Sequence, residues 1–228
     1  MTDHILPGDP PIPLLLRRSA QARRISLRIS QLDGRVTLTL PKRCADREAL
    51  DFAAQKETWI RNHLEARDPD VKVGLGAQIP LQGTECTIVP GQGRSVQMSD
   101  CRIAVPGAPD RVGARLAGFL KQTARARLAS ASDHYSKRLG KPYTTLSIRD
   151  TRSRWGSCSA AGGLMYSWRL ILAPTEVLNY VAAHEVAHLQ EMNHSAAFWD
   201  IVQTLYGDYT QARGWLRREG SDLHRYRF

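Results

Sequence analysis

The residues best placed to do chemistry are His184-Glu185-Val186-Ala187-His188. On a helix, positions i and i+4 share a face, with Cβ atoms about 5–6 Å apart. His184 and His188 can therefore bind one metal ion. Glu185 lies too close to the first ligand to join it easily, but can take a proton from a water at the metal. With seven histidines in 228 residues and glutamate at roughly 5%, a random chain would show this pattern on the order of once in a hundred. A catalytic zinc takes three protein ligands and keeps a fourth position open. His194 is the expected third ligand. Met192-Asn193-His194-Ser195 reads as a tight turn between helices, since asparagine tolerates left-handed backbone and serine caps. Glu191, at i+3 from His188, is the alternative. His194 is preferred because a ligand on the same short helix cannot easily complete a tetrahedron.

Several elements must position these groups. Pro174 and Thr175 open a helix expected to run to about Met192. Ser195 caps another to about Tyr206, closed by Gly207, and a last one covers about Thr210 to Arg218, closed by Gly220. Upstream, Leu116, Phe119, Leu120, Ala124 and Leu128 keep helical spacing within Asp110 to Leu139, read as one long helix or two in line, ended by Gly140. Thr144 to Arg149 and Leu164 to Leu172 read as strands. Further back, Arg24 to Ser30 and Val36 to Leu40 alternate around Asp33-Gly34, the form of a β-hairpin. Its inner face carries Ile25, Leu27, Ile29, Val36, Leu38 and Leu40. Asp46 reads as the cap of a helix to about Glu65, and residues 71–106 as a hairpin or meander. The expected organisation is a proline-rich disordered lead (1–13), a mixed β-rich region (14–108), a catalytic region (109–220) and a tail (221–228).

Composition narrows the class. Hydrophobic residues make up 42% and charged residues 24%, as in ordinary soluble domains, and the net charge is +10. No apolar run reaches the roughly 20 residues of a membrane-spanning helix, and the start of the chain lacks the pattern of a secretory signal. A cytoplasmic location without membrane attachment is expected. Cys44, Cys86, Cys101 and Cys158 form no C-x-x-C pair, so they read as buried thiols and not as a disulfide or structural-zinc framework. Arg17, Arg18, Arg23, Arg24 and Arg28 make a basic segment that reads either as a solvated strand face or as a phosphate-contacting stripe for nucleic acid.

Arg154-Trp155-Gly156-Ser157-Cys158, Tyr166-Ser167-Trp168-Arg169-Leu170-Ile171-Leu172-Ala173-Pro174, Val181 to Leu189, Asn193-His194-Ser195 and Phe198-Trp199 together resemble the YgjP-like zinc metallopeptidases, relatives of the SprT and WLM metalloproteases. The resemblance runs from about Arg17 to about Gly220 and is sharpest from Arg152 to Trp199. The metzincins share the histidine spacing, but Glu191 replaces their glycine and no Met-turn follows. The resemblance implies an α+β, zincin-like fold: a small sheet with an active-site helix and C-terminal helices, preceded by a β-rich portion. It also implies Zn2+ on His184, His188 and His194, with Glu185 as catalytic base, and an extended substrate paired along the edge of the 164–172 strand. The expected activity is a metallopeptidase acting on peptide or protein substrates. The alternatives are a zinc-dependent nucleotide or phosphate hydrolase, and a basic nucleic-acid module with non-catalytic zinc.

Candidate substrate-binding residues are Arg154, Ser157 and Tyr166, with Arg154 and Ser157 otherwise read as part of a structural turn in which Trp155 packs over the metal helix. Tyr166, Tyr206, Tyr209 and Arg154 are candidates for stabilising the oxyanion. Glu176, Glu191 and Asp200 are candidates for orienting the histidines, and Cys158 is a candidate inhibitory zinc ligand.

Overall fold

The computed structural model describes residues 2–30, 33–66 and 68–228. The chain divides into two compact units, 1–69 and 70–228, each with its own apolar core.

The first unit is a four-stranded sheet with two helices. Its elements are β1 (Thr2–Leu6), β2 (Ile12–Ser19), β3 (Ser26–Ile29), β4 (Val36–Pro41), α1 (Asp46–Gln55) and α2 (Glu57–Glu65). The sheet order is β1-β2-β4-β3, with β2 parallel to β4 and the other pairs antiparallel. Strict alternation turns Ile12, Leu14 and Leu16 of β2 and Val36, Leu38 and Leu40 of β4 into the core, where they meet Ala49, Ala53 and Ile60. The expected hairpin is present as β3–β4, with Gly34 at φ 67°; residues 31 and 32 lie outside the described residues. Residues 2–6 and 12–19 are paired strands where a disordered lead was expected. The prolines fall at strand ends and between strands, where a missing N–H costs little. Asp46 is the first residue of α1, and Ala45 stands in the cap position. The basic segment is not a stripe on one hairpin: Arg17 and Arg18 lie on β2, and Arg28 lies on β3 across β4. Arg18 donates to the carbonyls of Lys42 and Cys44 and pairs with Asp46.

The second unit begins with β5 (Val71–Lys72), β6 (Gln78–Leu81), β7 (Thr84–Gly91), β8 (Gln97–Ser99) and β9 (Arg102–Pro106). It continues with α3 (Val112–Leu139), β10 (Thr145–Arg149), β11 (Gly156–Cys158) and β12 (Gly163–Ser167). It ends with α4 (Thr175–Ala187), α5 (Ala196–Tyr206), α6 (Thr210–Arg218) and β13 (Tyr226–Arg227). Strands β6–β9 form one sheet, ordered β6-β7-β9-β8. Ile79, Leu81, Ile88, Ile103 and Val105 from that sheet share a core with Leu116, Leu120, Ala124 and Leu128 of α3. The expected division near residue 108 therefore does not coincide with the observed one, because a shared core joins the two sides of that position. α3 ends as expected at Gly140, with φ 72°.

The sheet that bears on the site has the order β10-β12-β11, with β10 parallel and β11 antiparallel to β12. Two of the expected boundaries move. The expected strand 164–172 stops at Ser167, and Trp168–Ile171 forms a buried 3-10 turn. A continuous apolar run does not distinguish strand from turn by its period. β12 is also the central strand, so it offers no free edge; β11 is an edge strand of this sheet. The expected tail is folded in, with β13 parallel to β5. Arg169, 7% exposed, donates to Asp150 at 2.7 Å and to the carbonyls of Leu223 and Tyr226 at 2.9 and 3.1 Å.

Candidate metal centre

α4 is buried on nearly every side. Val177, Leu178, Val181, Ala182, Ala183, Val186 and Ala187 are all in the core, and its small residues allow close packing against α3 and α5. The helix ends at Ala187, not near Met192, and His188 adopts the C-cap position. The backbone then turns, Leu189 donating to Val186 and Glu191 to Ala187. This early stop allows the chain to return toward α4. Ser195 caps α5 as expected, its Oγ accepting from the Phe198 N–H at 3.3 Å.

The turn brings three imidazoles together. The ligand atoms of His184, His188 and His194 all lie within 4.8 Å of one another. Nε2 of His184 and Nε2 of His194 face each other at 3.0 Å. Ligands about 2.0–2.1 Å from a tetrahedral zinc lie about 3.3–3.4 Å apart, so this donor set fits one ion after a small adjustment. His188 Nδ1 lies 3.0 Å from the Glu191 carbonyl, and donation to that oxygen leaves Nε2 free to ligate. Burial, reinforced by His188 and His194, pushes the His184 pKa down to about 3, and burial also lowers His188. Both rings are thereby held neutral, the ligating form. Aromatic rings wall the group. Phe198 stacks on His188 at 4.4 Å between centroids, and Trp199 stacks on His194 at 5.7 Å.

Glu185 is 5% exposed, and burial pushes its carboxyl up to about 8, against the pull of Arg154. It occupies a space that only glycine leaves open: a Cβ on Gly156 would lie 2.6 Å from both Cγ and Oε1 of Glu185. Gly156 belongs to β11, so the carboxylate is seated under this edge strand. Between β11 and the histidines lies a cleft of about 390 Å³ whose lining includes Arg154, Ser157, Glu185 and all three histidines.

The other candidate residues separate clearly. Arg154 and Ser157 line the cleft. Tyr166 does not: it is 0% exposed, and its hydroxyl is 3.0 Å from Ser132 Oγ in the core. Its inward position follows from β12 alternation, which turns Leu164 and Tyr166 inward together. Tyr206 donates its hydroxyl proton to the Glu176 carbonyl, and Tyr209 stacks on Trp199. Glu191 is not among the converging ligand atoms; its contribution is the main-chain carbonyl. Cys158 lines the cleft, but burial and then Glu185 raise its pKa, disfavouring the thiolate a metal would need. Trp155 packs on His224 at 5.2 Å between centroids. The sequence shows Gly156 only as part of the 154–158 motif and does not signal its contact with Glu185. Nor does it point to the Glu191 carbonyl, which no side-chain pattern signals.

A search of solved structures finds similarity to the crystal structure of the metallopeptidase zymogen of Pyrococcus abyssi abylysin. The two are 22% identical, over 44% of this chain and 99% of that one, with a TM-score of 0.37. No curated protein matches the chain. The model of the YgjP-like family, metallopeptidase domain, matches residues 23–219. The histidine triad and its cleft lie within that span, and the chain belongs to the YgjP-like metallopeptidase family, as a hydrolase of the peptidase type.

Proposed function

We propose that the protein is a zinc-dependent peptidase of zincin-like design, with His184, His188 and His194 as the metal ligands and Glu185 as general base. The observation that carries this reading is the convergence of three imidazoles beside one buried carboxylate, in a cleft open to a substrate. A zinc ion on these rings would polarise the scissile carbonyl and lower the pKa of a water molecule toward neutrality. Glu185, seated against Gly156, takes a proton from the attacking water and passes it to the leaving amine. Burial raises the proton affinity of this carboxyl, which strengthens it as a base relative to a solvated one. Arg154 and Ser157 bind substrate, and Arg154, the one oxyanion candidate that lines the cleft, steadies developing negative charge. An extended peptide would pair along β11, the edge strand beside the metal site.

Metal analysis and peptide hydrolysis of the purified chain test this reading. Glu185→Gln is expected to bind zinc as the parent does and to lose about 100-fold or more in kcat. Chelation should abolish turnover and added zinc restore it. A Glu185→Gln variant with parental turnover would refute the assigned base, and phosphate release from nucleoside triphosphates without peptide cleavage would favour a phosphate hydrolase.

A further inference from the structure

A second, larger cleft of about 710 Å³ adjoins the metal site. The two share Ser153, Arg154, Ser157 and Cys158, so they meet at β11 and the loop leading into it. Strand register explains how they are divided. Ser147 and Ser157 are both paired with Met165, and Arg149 stands two residues beyond Ser147 on β10. Alternation therefore puts Ser147, Arg149, Ser157 and Met165 on one face of the sheet. Leu146, Ile148, Leu164 and Tyr166 occupy the other face and enter the core, while Gly156 turns toward Glu185. A peptide added beside β11 would send alternate side chains to the two faces: one set toward the metal, the other into the second cleft.

The chemistry of the second cleft has one sign. Its lining contains two arginines, Arg149 and Arg154, and several hydroxyl groups, with no carboxylate. Asp150, the acidic residue next to Arg149, is held by the buried Arg169. No ion pair engages the guanidinium of Arg149 or Arg154 among the described residues. The net charge of +10 adds a field of the same sign. Hydroxyl donors and guanidinium groups in a concave site recognise anionic oxygens.

We propose that this cleft is a specificity subsite that takes an anionic side chain, carboxylate or phosphoryl, on a substrate residue flanking the cleaved bond, and that Arg149 reads its charge. The proposal rests on the peptidase reading above, but its test does not require turnover. Labelled peptides of one sequence, carrying Glu, phosphoserine, Gln or Lys at a scanned position, are titrated against zinc-loaded Glu185→Gln protein. At some position the Glu or phosphoserine peptide should bind about fivefold or more tighter than the Lys peptide, with the Gln peptide between them. The gap should shrink as salt rises. Adding Arg149→Glu should invert the ranking, and Arg149→Gln should flatten it. A phosphoserine peptide above the glutamate peptide identifies a phosphoryl ligand, and the reverse order identifies a carboxylate. Equal affinities at every position, or an unchanged ranking in the Arg149→Glu background, would overturn the proposal. Failure of the parent protein to cleave any peptide would count against the peptidase reading alone.

Discussion

Glu185 and Gly156 act as one unit. The carboxylate is confined because its neighbour has no side chain, and a Cβ there would sit 2.6 Å from Oε1. Gly156→Ala must displace either the strand or the base. Because a displacement of about 1 Å can cost about 100-fold, the variant is expected to lose roughly that factor in kcat while retaining zinc and the melting profile. Parental kcat in Gly156→Ala would show that the base tolerates movement. His224, 4% exposed, gives a separate prediction. Burial, with Arg169 adding and Asp150 opposing, lowers its pKa from 6.5 to about 4. The unfolded chain therefore binds a proton that the folded chain refuses between those values, and stability falls as pH drops through that window. Denaturant midpoints for the parent and His224→Gln should differ in slope between pH 6.5 and about 4, with the variant losing less. Parallel profiles would assign the acid sensitivity elsewhere.

At the scale of elements, the 3-10 turn Trp168–Ile171 links the start of α4 to the C-terminal segment. Its Arg169 joins three pieces of chain: Asp150 after β10, and the carbonyls of Leu223 and Tyr226. Arg169→Leu leaves two carbonyls and a carboxylate without their donor, at a cost of about 3 kcal/mol or more. Arg169→Lys should recover only part of this, because an ammonium group cannot serve all three acceptors in a planar fork. Urea denaturation measures both, and equal midpoints for parent and leucine variant would show that the clamp contributes nothing. Local cues were sufficient for some boundaries and not for others. Gly140 and Ser195 carry their own capping chemistry, so the ends of α3 and α5 were readable. The stop of α4 at Ala187 has no glycine or proline to announce it. It follows from the return of residues 188–194, which is a tertiary event.

For the molecule as a whole, the consequential finding is the division between Pro69 and Asp70. The histidines, Glu185 and both clefts belong entirely to the second unit, which has its own core. A fragment spanning 70–228 is therefore expected to fold and to bind one equivalent of zinc. A fragment that folds but binds no zinc would contradict this placement.

The alternating runs of β3 and β4, the end of α3 at Gly140 and the grouping of His184, Glu185 and His188 were determined by the sequence alone. Each depends on a period of two or 3.6 residues, or on a cap a residue or two away, and such spacing survives without knowledge of the fold. The tertiary structure alone decided that Tyr166 lies in the core, that β11 and not the 164–172 segment is the edge beside the metal site, that Gly156 makes room for the base, and that residues 2–6, 12–19 and 226–227 pair as strands. Those outcomes depend on which surfaces meet across dozens of residues, and long-range burial competition is not written in any short window of sequence.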